Sequence, residues 1–267
     1  MINKFQNIQK DPANRAFLFG DGVWISFYVR RGQLILAEES YFYLMASMRK
    51  LRMHIPQSYT LDFFKQLFQA EVLMKEIKNA VIKFFAYRGG REGDLVRQAV
   101  EYYFEVEEVS DVLAKRKDYK LDLIKEIHVN TNLLSNIHVH STENIYAGIY
   151  ASENDLDDVI LLNPNKRIAR TSQGNILLLI GNTFRIPKQT EGAYISPLLE
   201  SFATFLTKKN LGFIEEAEII AFETQKAEEV LMISESHGIH VVKKIRNKEF
   251  SDTKLMAFLE AWQKSFE

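Results

Sequence analysis

The sequence predicts a two-domain α/β protein, and three observations carry the prediction. At 267 residues the chain can bury one large core or two smaller ones. Stretches with the two-residue alternation of strands are interleaved with stretches of helical spacing along its whole length. Between them, Ser110 to Asp118 is charged and aperiodic, which divides the chain into a domain at 1–112 and a domain at 113–267.

In the first domain, Gly20-Asp21-Gly22 suits a tight bend, as a structural turn or a binding loop, and Val23 to Arg30 alternates aromatic and β-branched residues as a strand. Arg31-Gly32 turns the chain back into Gln33 to Leu36. Glu38 to Met53 has helical spacing, with Phe42, Leu44, Met45, Met48 and Leu51 as its apolar stripe. Thr60 is placed to N-cap a second helix over Leu61 to Lys78, whose Leu61, Phe64, Leu67, Phe68 and Leu73 share a face. Two strands, Ala80 to Tyr87 and Val96 to Val109, flank a turn at Gly89 to Gly93. In the second, Val100, Tyr102, Phe104 and Val106 form the face expected to be buried.

The second domain opens with a strand over Leu121 to Val129. An amphipathic helical segment around Tyr146 to Glu153 follows, then an apolar strand, Val159 to Leu162, and a turn at Asn163-Pro164-Asn165. Two short strands lie either side of Thr171-Ser172-Gln173-Gly174, and Gly181-Asn182 reads as a two-residue hairpin loop. Ser196 as N-cap and Pro197 at the first helical position start a helix running to about Lys209. Strands at Ile214 to Ile220, Glu229 to Ser234 and Gly238 to Ile245 precede a closing helix from about Asp252 to Phe266.

Composition removes several function classes. Apolar residues at 46% and charged residues at 26% are those of a globular protein. A net charge of −1 gives no reason to expect nucleic acid or an anionic membrane as partner, and Lys115-Arg116-Lys117 and Lys243 to Lys248 read as solvated faces. With no cysteine there is no disulfide, thiolate metal site or cysteine nucleophile. No apolar run approaches a membrane span and the amino terminus lacks the apolar core of a secretory signal, so a cytoplasmic protein is expected. His138 and His140 would face one way if they lay on a strand, the spacing a metal site uses, with His128, Glu143 or Glu153 as a third ligand. The plainer expectation is ordinary hydrogen-bonded histidines and no metal. His54, His237 and His240 are unassigned, and no nucleophile triad or Gly-rich phosphate loop stands out.

Four stretches carry a resemblance. Arg15-Ala16-Phe17 with Gly20-Asp21-Gly22 opens into a hairpin, and Tyr41 to Arg49 reads YFYLMASMR. Leu133 to Ile180 gives helix, strand, turn and hairpin in order, and Lys226 to Ile239 reads KAEEVLMISESHGI. Together they resemble the class IV, or fold type IV, pyridoxal-phosphate enzymes, which include branched-chain and D-amino-acid aminotransferases and 4-amino-4-deoxychorismate lyase. The resemblance implies a small N-terminal α/β domain, a larger C-terminal β-barrel-like α/β domain, and a homodimer.

It also implies a cofactor site whose parts are changed here. His138, or on a shifted alignment Asn136, stands where the family's reactive lysine is expected, and Arg170 stands where its glutamate faces the pyridine nitrogen. Tyr43 takes the place of a phosphate-gripping arginine, Ser196-Pro197 that of the phosphate-binding helix start, and Ile233 that of a threonine; Ser172 and Ser234 remain as small hydrogen-bond donors. Losing one charge-assisted phosphate contact costs roughly 1.5–3 kcal/mol. The expectation is a protein that binds no cofactor and is non-catalytic, holding a small metabolite in the cleft between its domains or serving as a scaffold. The alternative is an active pyridoxal-phosphate aminotransferase or lyase of amino-acid or folate-precursor metabolism, reached by a lysine such as Lys125.

Overall fold

The computed structural model describes residues 2–5, 15–89 and 98–267. Residues 90–93 of the turn expected at Gly89 to Gly93 and residues 96–97 of the strand expected from Val96 lie outside the described residues. Two compact units emerge: Met1–Val112 with Ile137–His140, and Leu113–Asn136 with Ser141–Glu267.

The first unit is built on an antiparallel five-stranded sheet. Its strands are β1 (Ile2–Phe5), β2 (Gly22–Arg30), β3 (Gln33–Ile35), β4 (Ala80–Arg88) and β5 (Val100–Glu108), in the order β1-β5-β4-β2-β3. A short helix α1 (Arg15–Phe19) precedes β2, and α2 (Ala37–Lys50) and α3 (Leu61–Glu71) follow β3. The core between sheet and helices is aromatic: Phe27 meets Phe68 at 4.8 Å between ring centroids and Phe64 meets Phe84 at 5.1 Å, tilted or edge-on as ring quadrupoles favour. Ser40 lets α2 approach the sheet, its hydroxyl donating to the Ser26 carbonyl at 2.9 Å.

Arg15 to Phe19 forms a helical turn. Two sequence expectations for this unit are corrected. On α2 the expected Leu44, Met45 and Met48 are buried, but Phe42 is 58% exposed and Tyr43, at 5%, takes its place in the core. Thr60 does cap α3, its hydroxyl accepting from the Phe63 N–H at 3.2 Å, but that helix stops at Glu71, well short of Lys78. Val72, fully buried, leaves helical geometry at φ −126°, and a 3₁₀ turn over Leu73–Lys75 ends at Glu76 in the left-handed region.

The second unit is a nine-stranded mixed sheet that curls into a half-barrel. Its strands are β6 (Tyr119–His128), β7 (Asp158–Leu162), β8 (Ile168–Thr171), β9 (Asn175–Ile180), β10 (Thr183–Pro187), β11 (Phe213–Ala217), β12 (Glu229–Ser234), β13 (Gly238–Ile245) and β14 (Lys248–Glu249). They run in the order β11-β10-β9-β12-β13-β6-β7-β8, with β14 on β13. The two ends of this order meet: the Ile168 N–H on β8 donates to the Ile219 carbonyl just past β11 at 2.7 Å, and Arg167 bridges Ile220. That contact ends β11 at Ala217, earlier than the Ile220 expected from sequence.

Inside the curl pack Leu121, Leu123, Ile160, Ile168, Ile176, Leu178, Val230, Met232 and Val242. Helix α4 (Thr142–Glu153) covers another cluster, with Ala147 and Ala151 against Ile124, Val159, Leu161 and Ala169; two alanines one helical turn apart permit that close approach. Helices α5 (Pro197–Lys208) and α6 (Thr253–Lys264) meet through Phe202 and Trp262, 5.2 Å apart. Ser196 caps α5 as expected, accepting from the Leu199 N–H at 3.1 Å. Among the described residues no helix is long and apolar enough to cross a membrane.

Candidate functional site

The β8–β9 hairpin places Arg170 and fixes the turn beside it. Thr171 and Gly174 close the turn, the Thr171 N–H donating to the Gly174 carbonyl at 2.8 Å and the Gly174 N–H to the Thr171 hydroxyl at 3.0 Å. Asp158 at the head of β7 receives the Ser172 hydroxyl, the Ser172 N–H at 3.2 Å and the Gln173 N–H at 3.1 Å. Full burial pushes the Asp158 carboxyl up, and the Ser172 and Thr171 hydroxyls and the Val159 and Gln173 N–H groups oppose that shift. Gly174 is required by close approach: a Cβ there would stand 2.3 Å from the Ile233 carbonyl oxygen on β12.

Arg170 on β8 is buried, 4% exposed. Its Nη1 donates to the Gly192 carbonyl at 2.7 Å and the Ser135 carbonyl at 3.3 Å, and its Nη2 to the Asn144 side-chain oxygen at 3.3 Å. The guanidinium lies 4.2 Å from the centre of the Tyr194 ring. Tyr194 is itself held at both ends. Asn144 Nδ2 donates to its hydroxyl at 2.7 Å, and the Asn175 side chain exchanges bonds with its backbone N–H and carbonyl at 2.9 and 2.8 Å. Glu143 feels the Arg170 charge. Burial alone would raise its carboxyl, but its own N–H, the Ser141 and Thr142 hydroxyls and Arg170 together lower it.

The start of α5 carries a second charged group. Ser196 donates its hydroxyl to the carboxylate of Glu235, which is 2% exposed. Pro197 has no N–H, the Leu199 N–H is taken by the Ser196 hydroxyl and the Glu200 N–H by the Ser196 carbonyl. A helix start that ordinarily favours an anion thus faces a carboxylate of the protein itself.

The remaining sequence candidates scatter. Ser172 is spent on Asp158, and the Ser234 hydroxyl donates to the Gln173 carbonyl at 2.6 Å while accepting from the His237 N–H at 3.1 Å. Ile233 is buried, paired with Asn175 on β9 and Ile239 on β13. Of the two positions aligned with a lysine, Asn136 lies in the second unit, its carbonyl accepting from the Ile195 N–H at 3.2 Å, one residue from the Ser135 carbonyl that Arg170 grips. His138 lies in the first unit, stacked on Trp24 at 4.1 Å with Tyr43 edge-on at 6.1 Å. Tyr43 is therefore a core residue of that unit.

His138 and His140 do not sit on a regular strand; only Val139 between them forms an isolated bridge, to Val23. Among the described residues no three histidine, cysteine or carboxylate side chains converge to hold a metal, and of the third ligands considered His128 and Glu153 are exposed and Glu143 half-buried. His140 lies against Gly20, whose φ of +62° and 2.5 Å clearance to the His140 Cβ admit only glycine. Both border a cavity of about 270 Å³ with Gly22, Trp24 and Tyr87. Lys125 is exposed on β6 next to buried Ile124, and among the described residues no lysine is fully buried.

Sequence reasoning passed over Asn144, Tyr194 and Glu235. Asn144 has a signal in the Ser141-x-x-Asn144 spacing at the start of α4, and Tyr194 stands two residues before the α5 cap. Glu235 gave none, since only the fold brings it to Ser196.

The sequence model of the amino-transferase class IV family matches residues 26–245. Among solved structures the chain is similar to a protein from Legionella pneumophila subsp. pneumophila str. Philadelphia 1 assigned as a 4-amino-4-deoxychorismate lyase, with a TM-score of 0.83 at 20% identity over 96% of this chain and 94% of that one. A fold IV transaminase from Curtobacterium pusillum matches with a TM-score of 0.82 at 20% identity, covering 97% and 91%. A branched-chain amino acid aminotransferase from Thermobaculum terrenum in its PLP-form gives 0.82 at 16% identity, covering 92% and 84%.

Proposed function

The chain belongs to the amino-transferase class IV family, and we propose that it keeps that family's scaffold without its pyridoxal-phosphate chemistry, binding a small metabolite instead. One observation carries the proposal: Arg170, a buried guanidinium, occupies the position where the family's acid is expected. That acid keeps the pyridine nitrogen protonated so that the ring can withdraw electrons. An arginine never gives up its proton, and its charge disfavours a second cation beside it.

Two further features support the same conclusion. The carboxylate of Glu235 at the α5 start would repel a phosphate dianion where an amide nest should welcome it. The covalent link needs an amine, yet Asn136 and His138 fill the two aligned positions, and among the described residues no lysine is fully buried. The residues present do not fit pyridoxal phosphate, so no reaction step is derived through it.

Family membership itself favours a second reading, an active aminotransferase or lyase that uses Lys125. The exposure of Lys125 on β6 counts against it. Titration with pyridoxal phosphate followed by desalting separates the two. We expect colourless protein; a retained yellow colour that borohydride bleaches would select the enzyme.

A further inference from the structure

Two arginines in this chain are equally buried and unequally matched. Arg30, 4% exposed, turns its Nε and Nη2 edge onto the Asp111 carboxylate at 3.0 and 2.9 Å, the side-on fork that fits a planar acid. Arg170, also 4% exposed, spends Nη1 on two backbone carbonyls. Its Nε–Nη2 edge holds a single contact, 3.3 Å to the neutral Asn144 amide, and Nε is buried with no hydrogen-bond partner among the described residues. A buried guanidinium cannot neutralise itself, and with the Glu143 carboxylate acting on it only through space it keeps part of a desolvation penalty of several kcal/mol.

We infer that Arg170 is the carboxylate-recognition group of a ligand site, and that the ligand is a small organic acid whose carboxylate takes the Nε–Nη2 edge. The inference rests on the proposed function and names its ligand class. The surroundings are already organised for it. Tyr194 supports one face of the guanidinium and is held by Asn144 and Asn175. Asn144 can yield its 3.3 Å contact to an incoming carboxylate and keep its 2.7 Å bond to the Tyr194 hydroxyl. A carboxylate fits better than a phosphate because the Nε–Nη2 edge is a planar pair of donors, the geometry Asp111 already satisfies at Arg30.

The test uses the full chain labelled with ¹⁵N-arginine, and follows the side-chain Nε–H resonances while benzoate, its neutral isostere benzamide, or inorganic phosphate is added. The Arg170 signal, identified by its loss in Arg170→Lys, is expected to move downfield with benzoate and to stay with the other two. Arg170→Lys keeps the charge but loses the fork, and should weaken benzoate binding about tenfold or more. Asn144→Asp provides a second variant: by offering Arg170 an internal carboxylate it should raise the melting temperature and abolish the benzoate response. An unmoved Arg170 signal, an equal movement with benzamide, or movement with phosphate alone would each overturn the inference. A parallel sample incubated with pyridoxal phosphate and desalted keeps the outcomes apart. Retained colour defeats the proposed function, whereas colourless protein with no benzoate response defeats only the carboxylate assignment.

Discussion

The Ser196 hydroxyl donates to the Glu235 carboxylate at the first turn of α5, so this helix start carries an anion built into the chain. A negative group there is favourable to the helix dipole, which explains how a nearly buried carboxylate is tolerated.

Neutralising that group should reopen the helix start to anions. Glu235→Gln retains an oxygen to accept from Ser196 but removes the repulsion, so inorganic phosphate should bind about tenfold or more tightly than to the natural chain. Phosphorus NMR line broadening measures the change. Equal broadening in both proteins would mean that Glu235 does not guard this position.

Asp158 organises the turn beside Arg170, and Asp158→Ala should destabilise the protein by about 3 kcal/mol, because the Ser172 and Gln173 N–H groups lose their acceptor in the interior. The shift in the denaturant midpoint reads this directly. A change near zero would show that the Thr171–Gly174 turn holds without it.

Gly174→Ala puts a methyl into the backbone of β12, 2.3 Å from the Ile233 carbonyl, which cannot move aside as a side chain could. A loss of about 1–3 kcal/mol is expected in equilibrium unfolding. Gly148→Ala, where nothing lies within 4 Å, is the control and should be neutral or mildly stabilising.

His240 gives the fold a pH dependence of known sign. Its ring stacks on Tyr119 at 3.8 Å, with Nδ1 3.0 Å from the Lys117 carbonyl and Nε2 2.9 Å from the His237 carbonyl. Burial lowers its pKa first of all, the two carbonyls oppose that, and the Arg116 and Lys117 charges add to it. Below the ordinary histidine value of about 6.5 the unfolded chain therefore binds a proton more readily than the folded one. His240 contributes its stability in full above that pH and loses it as pH falls through the lowered value. Thermal unfolding from about pH 8 to about pH 5 should show a decline that is shallower in His240→Gln; identical profiles would contradict the assignment.

The local parts of the fold were legible because their causes are local. Thr60 and Ser196 cap the helices they announce, Gly181-Asn182 turns β9 into β10, and alternation marks β5. Arg170 could be singled out because the motif around it is contiguous. What could not be read depends on distant partners. Val72 ends α3 by sinking into a core that no window shows. Ser172 and Ser234 looked like available donors until Asp158 and the Gln173 carbonyl claimed them. Asn136 and His138 looked interchangeable as lysine substitutes, yet two residues of chain put them in different units.

The central claim is that this chain does not hold pyridoxal phosphate through a lysine, and intact-protein mass after incubation with the cofactor and reduction with borohydride tests it most directly. The account predicts the unmodified mass. One reduced pyridoxyl group per chain, mapped to a single lysine at Lys125 or elsewhere, would contradict it.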